Sequence, residues 1–195
     1  MGITNRGVRM KAILISIKPK YVAEILNGNK TIEVRKSIPK CDLPIDVYIY
    51  CTKETQLVKY NNQYVATDFF KGLECPPKTY SGKVIAKFTL NKVESQYTLG
   101  KIITESNETD LFLKKCCLTI QELDEYLSYG KTKYMYAWHI DNLVIFDRPR
   151  ELSEFSGTCN RCEAYKYKVC KLNTKKCDRH LTKAPQSYMF IEIGD

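Results

Sequence analysis

Short apolar segments of strand length recur along the whole chain, and they constrain the fold more than any other feature. The first, at residues 12–17, is too short for a buried helix and is followed by Lys18-Pro19, so it predicts a buried strand. Later segments are rich in β-branched and aromatic residues and predict further strands at 45–51, 83–90, 136–140, 143–146 and 188–193. The chain is therefore expected to fold around a sheet.

Two helices are predicted between these strands. Pro19 suits a first helical turn, apolar residues follow at helical spacing, and Gly28 stands where a left-handed cap is expected. Thr119 and Glu122 form a capping-box pattern before a second apolar stripe, which Gly130 is expected to close. These signals place short helices around the sheet.

The remaining segments predict irregular structure within one domain. Residues 52–81 are polar with a Pro-Pro pair and predict an elaborated loop, Asp141-Asn142 predicts a turn, and 151–155 predicts a short helical turn. We find no repeat and no linker. The fold class expected from the residues is α+β, a small mixed or closed sheet with helices at its ends.

The charge of the chain favours a polyanionic partner. Its 195 residues include 31 Lys and Arg against 22 Asp and Glu, a net charge of +9, and such a field attracts nucleic acid. A solvated basic surface is the plain alternative. No stretch has the roughly 20 apolar residues that cross a bilayer, and the first ten residues lack a signal-like apolar run, so we expect a cytoplasmic protein without a membrane partner.

Four of the nine cysteines crowd into one segment near the C-terminus. Cys159 and Cys162 form one short pair and Cys177 and His180 a second, a spacing similar to that of a structural zinc site. Cys170 is the alternative fourth ligand, and reduced free thiols in a basic loop are the alternative to metal binding. The same segment, 157–181, carries Tyr-Lys-Tyr-Lys at 165–168, which suits either an RNA-contacting finger or an ordinary hairpin strand.

A second polar group follows the first helix. Strict alternation in 31–35 predicts a strand with Thr31, Glu33 and Arg35 on one face, next to Lys30. Lys30 is suited to contact a phosphate or, if desolvated, to act as a base or nucleophile, and Arg35 to clamp a phosphate or stack on a base. The alternative is a charged pair that holds the strand in register.

Three polar residues elsewhere are weaker candidates for the same site. His139 lies among aromatic residues and lysines, a combination that suits stacking on single-stranded nucleic acid, although a structural histidine fits the pattern as well. Gln186 and Ser187 precede the last predicted strand, where they either line a cleft or close a turn.

The run GNKTIEVR at 28–35 fits the G-x-K-x-x-E-x-R signature of the activating-signal-cointegrator homology (ASCH) domain, a relative of the PUA fold. Supporting segments are AILISIKPKYVAEIL, GKVIAKF, YAWHIDNLVIFDRPRELSEF and APQSYMFIEI, so the resemblance covers roughly 11–193. It implies a PUA-like β-barrel with short flanking helices, with 1–10 as an N-terminal extension and 11–195 as one domain that carries the Cys-rich insert.

The resemblance also implies a function. It implies binding of RNA or a modified nucleoside in a cleft lined by the signature, in a bacterial or phage protein. One relative is an amidohydrolase acting on acetylcytidine, so the alternative is a hydrolase of N-acylated nucleosides or RNA with Lys30 and Glu33 as its reactive pair. Glu33 stands where that relative has its catalytic Thr. A third reading, a protein-interaction adaptor in transcriptional regulation, stays open.

Overall fold

The computed structural model describes residues 10–97, 107–127, 134–158 and 180–193. Three helices lie there: α1 Pro19–Leu26, α2 Asn107–Cys116 and α3 Ile120–Tyr126, with one 3-10 turn at Leu152–Glu154. The strands are β1 Met10–Ile17, β2 Ile32–Arg35, β3 Ile45–Cys51, β4 Leu57–Tyr60, β5 Gln63–Ala66, β6 Val84–Leu90, β7 Val93–Tyr97, β8 Tyr134–His139, β9 Asp141–Arg150, β10 Ser156–Gly157 and β11 Tyr188–Ile193.

The larger sheet has six strands in the order β10-β11-β1-β3-β6-β9. β1 and β3 are parallel neighbours, and the other pairs are antiparallel. β1 lies inside this sheet and is buried from Ala12 onward, which explains its nearly continuous apolar sequence. The predicted buried strand is confirmed.

The smaller sheet places the signature residues between two layers. Its order is β2-β8-β7, and all its pairs are antiparallel. Ile32 and Val34 of β2 pack with residues of α2 and α3 on the outer face. The opposite, inner face carries Trp138, which is fully buried in the main core with residues of β1 and β3.

The turn between α1 and β2 sets the position of the signature. Pro19 occupies the first turn of α1, and Gly28 has a φ of +80°, a left-handed conformation that glycine adopts without a Cβ penalty. The helix therefore ends as predicted, and two residues later the chain reaches Lys30 and enters β2.

Three sequence expectations differ from the structure. The predicted loop at 52–81 contains the β4-β5 hairpin, whose two-residue turn Asn61-Asn62 has positive φ at both positions, as a type I′ turn requires. The strand pairings among the described residues form open sheets and no closed barrel, because β2 pairs with β8 and leaves the larger sheet with free edges. Asp141 and Asn142, predicted as a turn, instead begin strand β9, where Asn142 has a left-handed φ of +49°.

β7, α2 and the two-residue β10 were also missed from the sequence. β7 and α2 carry weak patterns, and both border segments outside the described residues. The capping box of α3 is present as predicted, with reciprocal Thr119 and Glu122 bonds, while Gly130 lies outside the described residues. None of the helices in the described ranges is long and apolar enough to cross a membrane.

Candidate functional site

Lys30, Glu33 and Arg35 form a buried group of charges that we call the charge triad. Their exposed fractions are 3%, 7% and 7%, which is unusual for charged residues. Glu33 and Arg35 alternate on β2 and point to its inner face, and Lys30 joins them from the preceding turn. The structure thus brings together three of the residues that the signature singled out.

Lys30 connects the triad to helix α2. Its Nζ donates to the carbonyl oxygen of Cys116 at 2.6 Å and lies 3.3 Å from Glu33 Oε2. The Tyr21 ring centroid is 5.3 Å from the ammonium, within the range of a cation–π contact. The ammonium is therefore surrounded by partners from α1, α2 and β2.

Arg35 connects the triad to the larger sheet. Its Nη2 lies 3.0 Å from Glu33 Oε1 and donates to the carbonyl oxygen of Ser16 at 2.8 Å. Its Nη1 donates to Ser187 Oγ at 3.3 Å, just before β11. Only Nε, which is also buried, has no acceptor among the described residues. One guanidinium thus ties β2 to β1 and to the last strand.

These contacts favour a structural role for the triad. Each charge has an opposite charge or a carbonyl within hydrogen-bond distance, and a buried ion pair is strongly destabilised when one partner is removed. The neighbouring Cys116 is no ready nucleophile, because burial raises the pKa of its thiol to about 12. An incoming substrate would have to displace existing partners to reach Lys30.

Thr31 and His139, two other predicted site residues, have partners other than the triad residues. Thr31 is exposed and makes backbone bonds with Lys115 and Ile140. His139 Nε2 lies 2.9 Å from Glu94 Oε2, the contact of a structural histidine. Hydrogen bonds to Lys92, which has the larger effect, and to His139 hold the pKa of Glu94 below its usual value.

Of the two predicted site residues before β11, one contacts the triad and the other faces the solvent. Gln186 is exposed, and Ser187 accepts the bond from Arg35. Sequence reasoning missed the carbonyl groups of Ser16 and Cys116 as triad partners. No side-chain pattern marks them, because a backbone acceptor can come from any residue.

An open cleft lies on the same inner face, next to Arg35. It has a volume of about 310 Å³, and we call it the tyrosine cleft; its walls are Ile38, Val93, Ser95, Tyr134 and Tyr136. Tyr136 is the strand partner of Arg35, and Tyr134 is 48% exposed. Two aromatic rings beside a buried guanidinium can hold a flat, polar ring system.

Most of the proposed metal ligands belong to the Cys-rich segment outside the described residues. Cys159, Cys162, Cys170 and Cys177 lie outside the described residues, as do 165–168. His180 is described, and it is exposed and forms an isolated bridge with Ser156. Within the described ranges, no cluster of three or more His, Cys, Asp or Glu side chains is arranged to hold a metal ion.

The architecture, two packed sheets with a charged β2 and a cleft on the inner face of the smaller sheet, defines a class of α+β fold. Solved structures identify that class. The crystal structure of ASCH from Zymomonas mobilis is 17% identical, with a TM-score of 0.50 over 91% of this chain and 85% of that one. A serine-to-alanine variant of the same protein gives 17% identity and a TM-score of 0.51 over 91% and 86%.

The chain therefore has the ASCH fold, as the resemblance implied. No protein-family model matches the sequence, and no curated protein sequence is significantly similar to it.

Proposed function

We propose that this protein is an ASCH-type module that binds RNA or another nucleic acid, and that an unpaired base enters the tyrosine cleft. The observation that carries the proposal is the pair Tyr134 and Tyr136 at an open cleft next to the buried Arg35. Single-stranded nucleic acid is recognised by stacking of splayed bases on aromatic side chains. The net charge of +9 supplies the sequence-independent attraction to phosphate.

The burial of the signature residues supports a binding module rather than a hydrolase. Lys30 and Glu33 are the reactive pair of the hydrolase alternative, yet here they are bound to each other and nearly inaccessible. We infer that the triad has a structural role, holding β2 beside the strand that carries the tyrosines. The ligand contacts then come from the tyrosines themselves.

The test measures the binding of short single-stranded RNA by fluorescence anisotropy at low salt. Stacking on an aromatic ring is worth about 1–3 kcal/mol per base, so Tyr134→Ala should weaken binding by roughly 5- to 150-fold at 1.4 kcal/mol per factor of ten. Tyr134→Phe, which keeps the ring, should bind nearly as well as the unmodified protein.

Tyr60→Ala is the matched control. Tyr60 is 55% exposed on the β4-β5 hairpin and does not line the cleft. Equal losses for Tyr134→Ala and Tyr60→Ala, or no RNA binding by the unmodified protein, would contradict the proposal. A protein partner that survives nuclease treatment would favour the adaptor reading instead.

We also propose a structural zinc in the Cys-rich segment, supported by the ligand spacing alone. Protein purified without added metal should carry about one zinc per chain, and Cys159→Ser should release it. Cys75→Ser is the control, since Cys75 is an exposed free thiol outside that segment. Metal-free native protein would overturn this proposal.

A further inference from the structure

A second pocket lies along the segment that connects β2 to β3. Its volume is about 620 Å³, and we call it the lysine pocket; it is lined by Lys11, Lys40, Cys41, Asp42, Pro44 and Ile45. Both pockets fall within the roughly 300–1,000 Å³ range of small-ligand sites.

The lysine pocket presents cations with few competing partners. Lys11 Nζ lies 3.9 Å from the centroid of the Phe190 ring, which positions the ammonium without neutralising it. Lys40 is exposed and has no ion-pair partner within the described ranges. Asp42 offsets one of the two charges, so the residues that line the pocket carry a net charge of +1, which suits a monoanionic group such as a phosphodiester. Glu192, the strand partner of Lys11, does not line the pocket.

The connecting segment joins this pocket to the tyrosine cleft. Ile38 lines the cleft, and Lys40, two residues later, lines the lysine pocket. Two residues span at most about 7 Å, so this segment brings the edges of the two pockets close together. A base in the cleft would therefore place an adjoining phosphate of the same strand within reach of Lys40.

We propose that the lysine pocket is a phosphate subsite for the nucleotide next to the base in the tyrosine cleft. This inference rests on the proposed function and narrows it, because it makes the ligand a single-stranded polynucleotide rather than a free nucleoside. The phosphate contact adds affinity and does not depend on the base sequence.

The experiment measures the salt dependence of RNA binding for a double variant, Lys11→Gln with Lys40→Gln. On a single strand each lost phosphate contact should make the slope of log K against log salt less negative by about 0.7. The matched control is Lys114→Gln with Lys115→Gln, which removes the same charge from exposed positions on α2, beyond the outer face of the smaller sheet. Unfolding midpoints of both variants should stay close to that of the unmodified protein.

A slope change in the pocket variant alone supports the subsite. An equal change in the control variant, or no change in either, overturns it, as does binding of free cytidine or adenosine as tightly as RNA. If RNA binds and Tyr134→Ala weakens it while the pocket variant behaves like the control, only the subsite fails. If the unmodified protein binds no RNA, or if Tyr134→Ala has no specific effect, the proposed function fails and the subsite with it.

Discussion

The charge triad and the tyrosine cleft lie on one face of the same three-stranded sheet, yet they are built in opposite ways. The triad is closed, since Lys30, Glu33 and Arg35 are buried and held by ion pairs and backbone carbonyls. The cleft is open and lined by two tyrosines, two aliphatic side chains and one serine. The residues with the strongest sequence signature therefore hold the two layers together, while less distinctive neighbours face the solvent.

The largest effect on stability should come from removing Glu33, the carboxylate that pairs with both cations of the triad. Glu33→Ala leaves two buried cations without their shared carboxylate, and loss of one partner of a buried pair costs about 3–5 kcal/mol. Denaturant unfolding should show this loss in the free energy of unfolding. Glu54→Ala, which removes an exposed carboxylate paired with Lys18, should change it by no more than about 0.5 kcal/mol. Similar stability for both variants would contradict the structural role.

A smaller effect is expected when Lys30 is removed, because Glu33 keeps Arg35. Lys30→Met preserves the length of the side chain but leaves the Cys116 carbonyl without its donor, which should cost about 1–3 kcal/mol of unfolding free energy. Measuring both unfolding and RNA binding distinguishes a structural role of Lys30 from a ligand-binding role. Full stability with complete loss of RNA binding would mean that Lys30 contacts the ligand directly.

The cleft can be filled without touching the triad. Ser95 is exposed on the edge strand β7 and lines the cleft. Ser95→Leu should weaken RNA binding about tenfold, equivalent to about 1.4 kcal/mol, and leave stability nearly unchanged. Ser153→Leu, at an exposed position in the 3-10 turn, is the control. Unaltered RNA affinity in the Ser95 variant would place the ligand elsewhere.

The smallest effect concerns the surface pair that joins α1 to α3 beside the triad. The hydrogen bond from Lys20 holds the pKa of Glu122 below its ordinary 4.5. A carboxyl whose pKa is lower in the folded state stabilises the protein above the unfolded pKa, and this contribution disappears as the pH falls through the folded value.

Lys20→Met should therefore cost about 0.2–1 kcal/mol near neutral pH, as exposed pairs do. The difference from the unmodified protein should shrink below about pH 4.5. Urea unfolding at both pH values measures it, and a difference that grows on acidification would contradict the assignment.

Local patterns were sufficient for most elements of the fold. β3 and β11 have the predicted bounds, Gly28 ends α1, and Thr119 caps α3. These features depend on backbone conformation and short-range hydrogen bonds, which neighbouring residues largely decide. The β4-β5 hairpin was missed because its Asn-Asn turn lies among polar residues that also suit a loop.

The sequence alone determined the α+β class, the positive charge and the alternation that places Glu33 and Arg35 on one side of β2. Only the tertiary structure decided what that side faces. Burial of Lys30 depends on a carbonyl 86 residues away, and the contacts of Arg35 depend on the carbonyl of Ser16 and the hydroxyl of Ser187. Such long-range acceptors leave no periodic trace, because strand pairing and layer packing, rather than local propensity, bring them together.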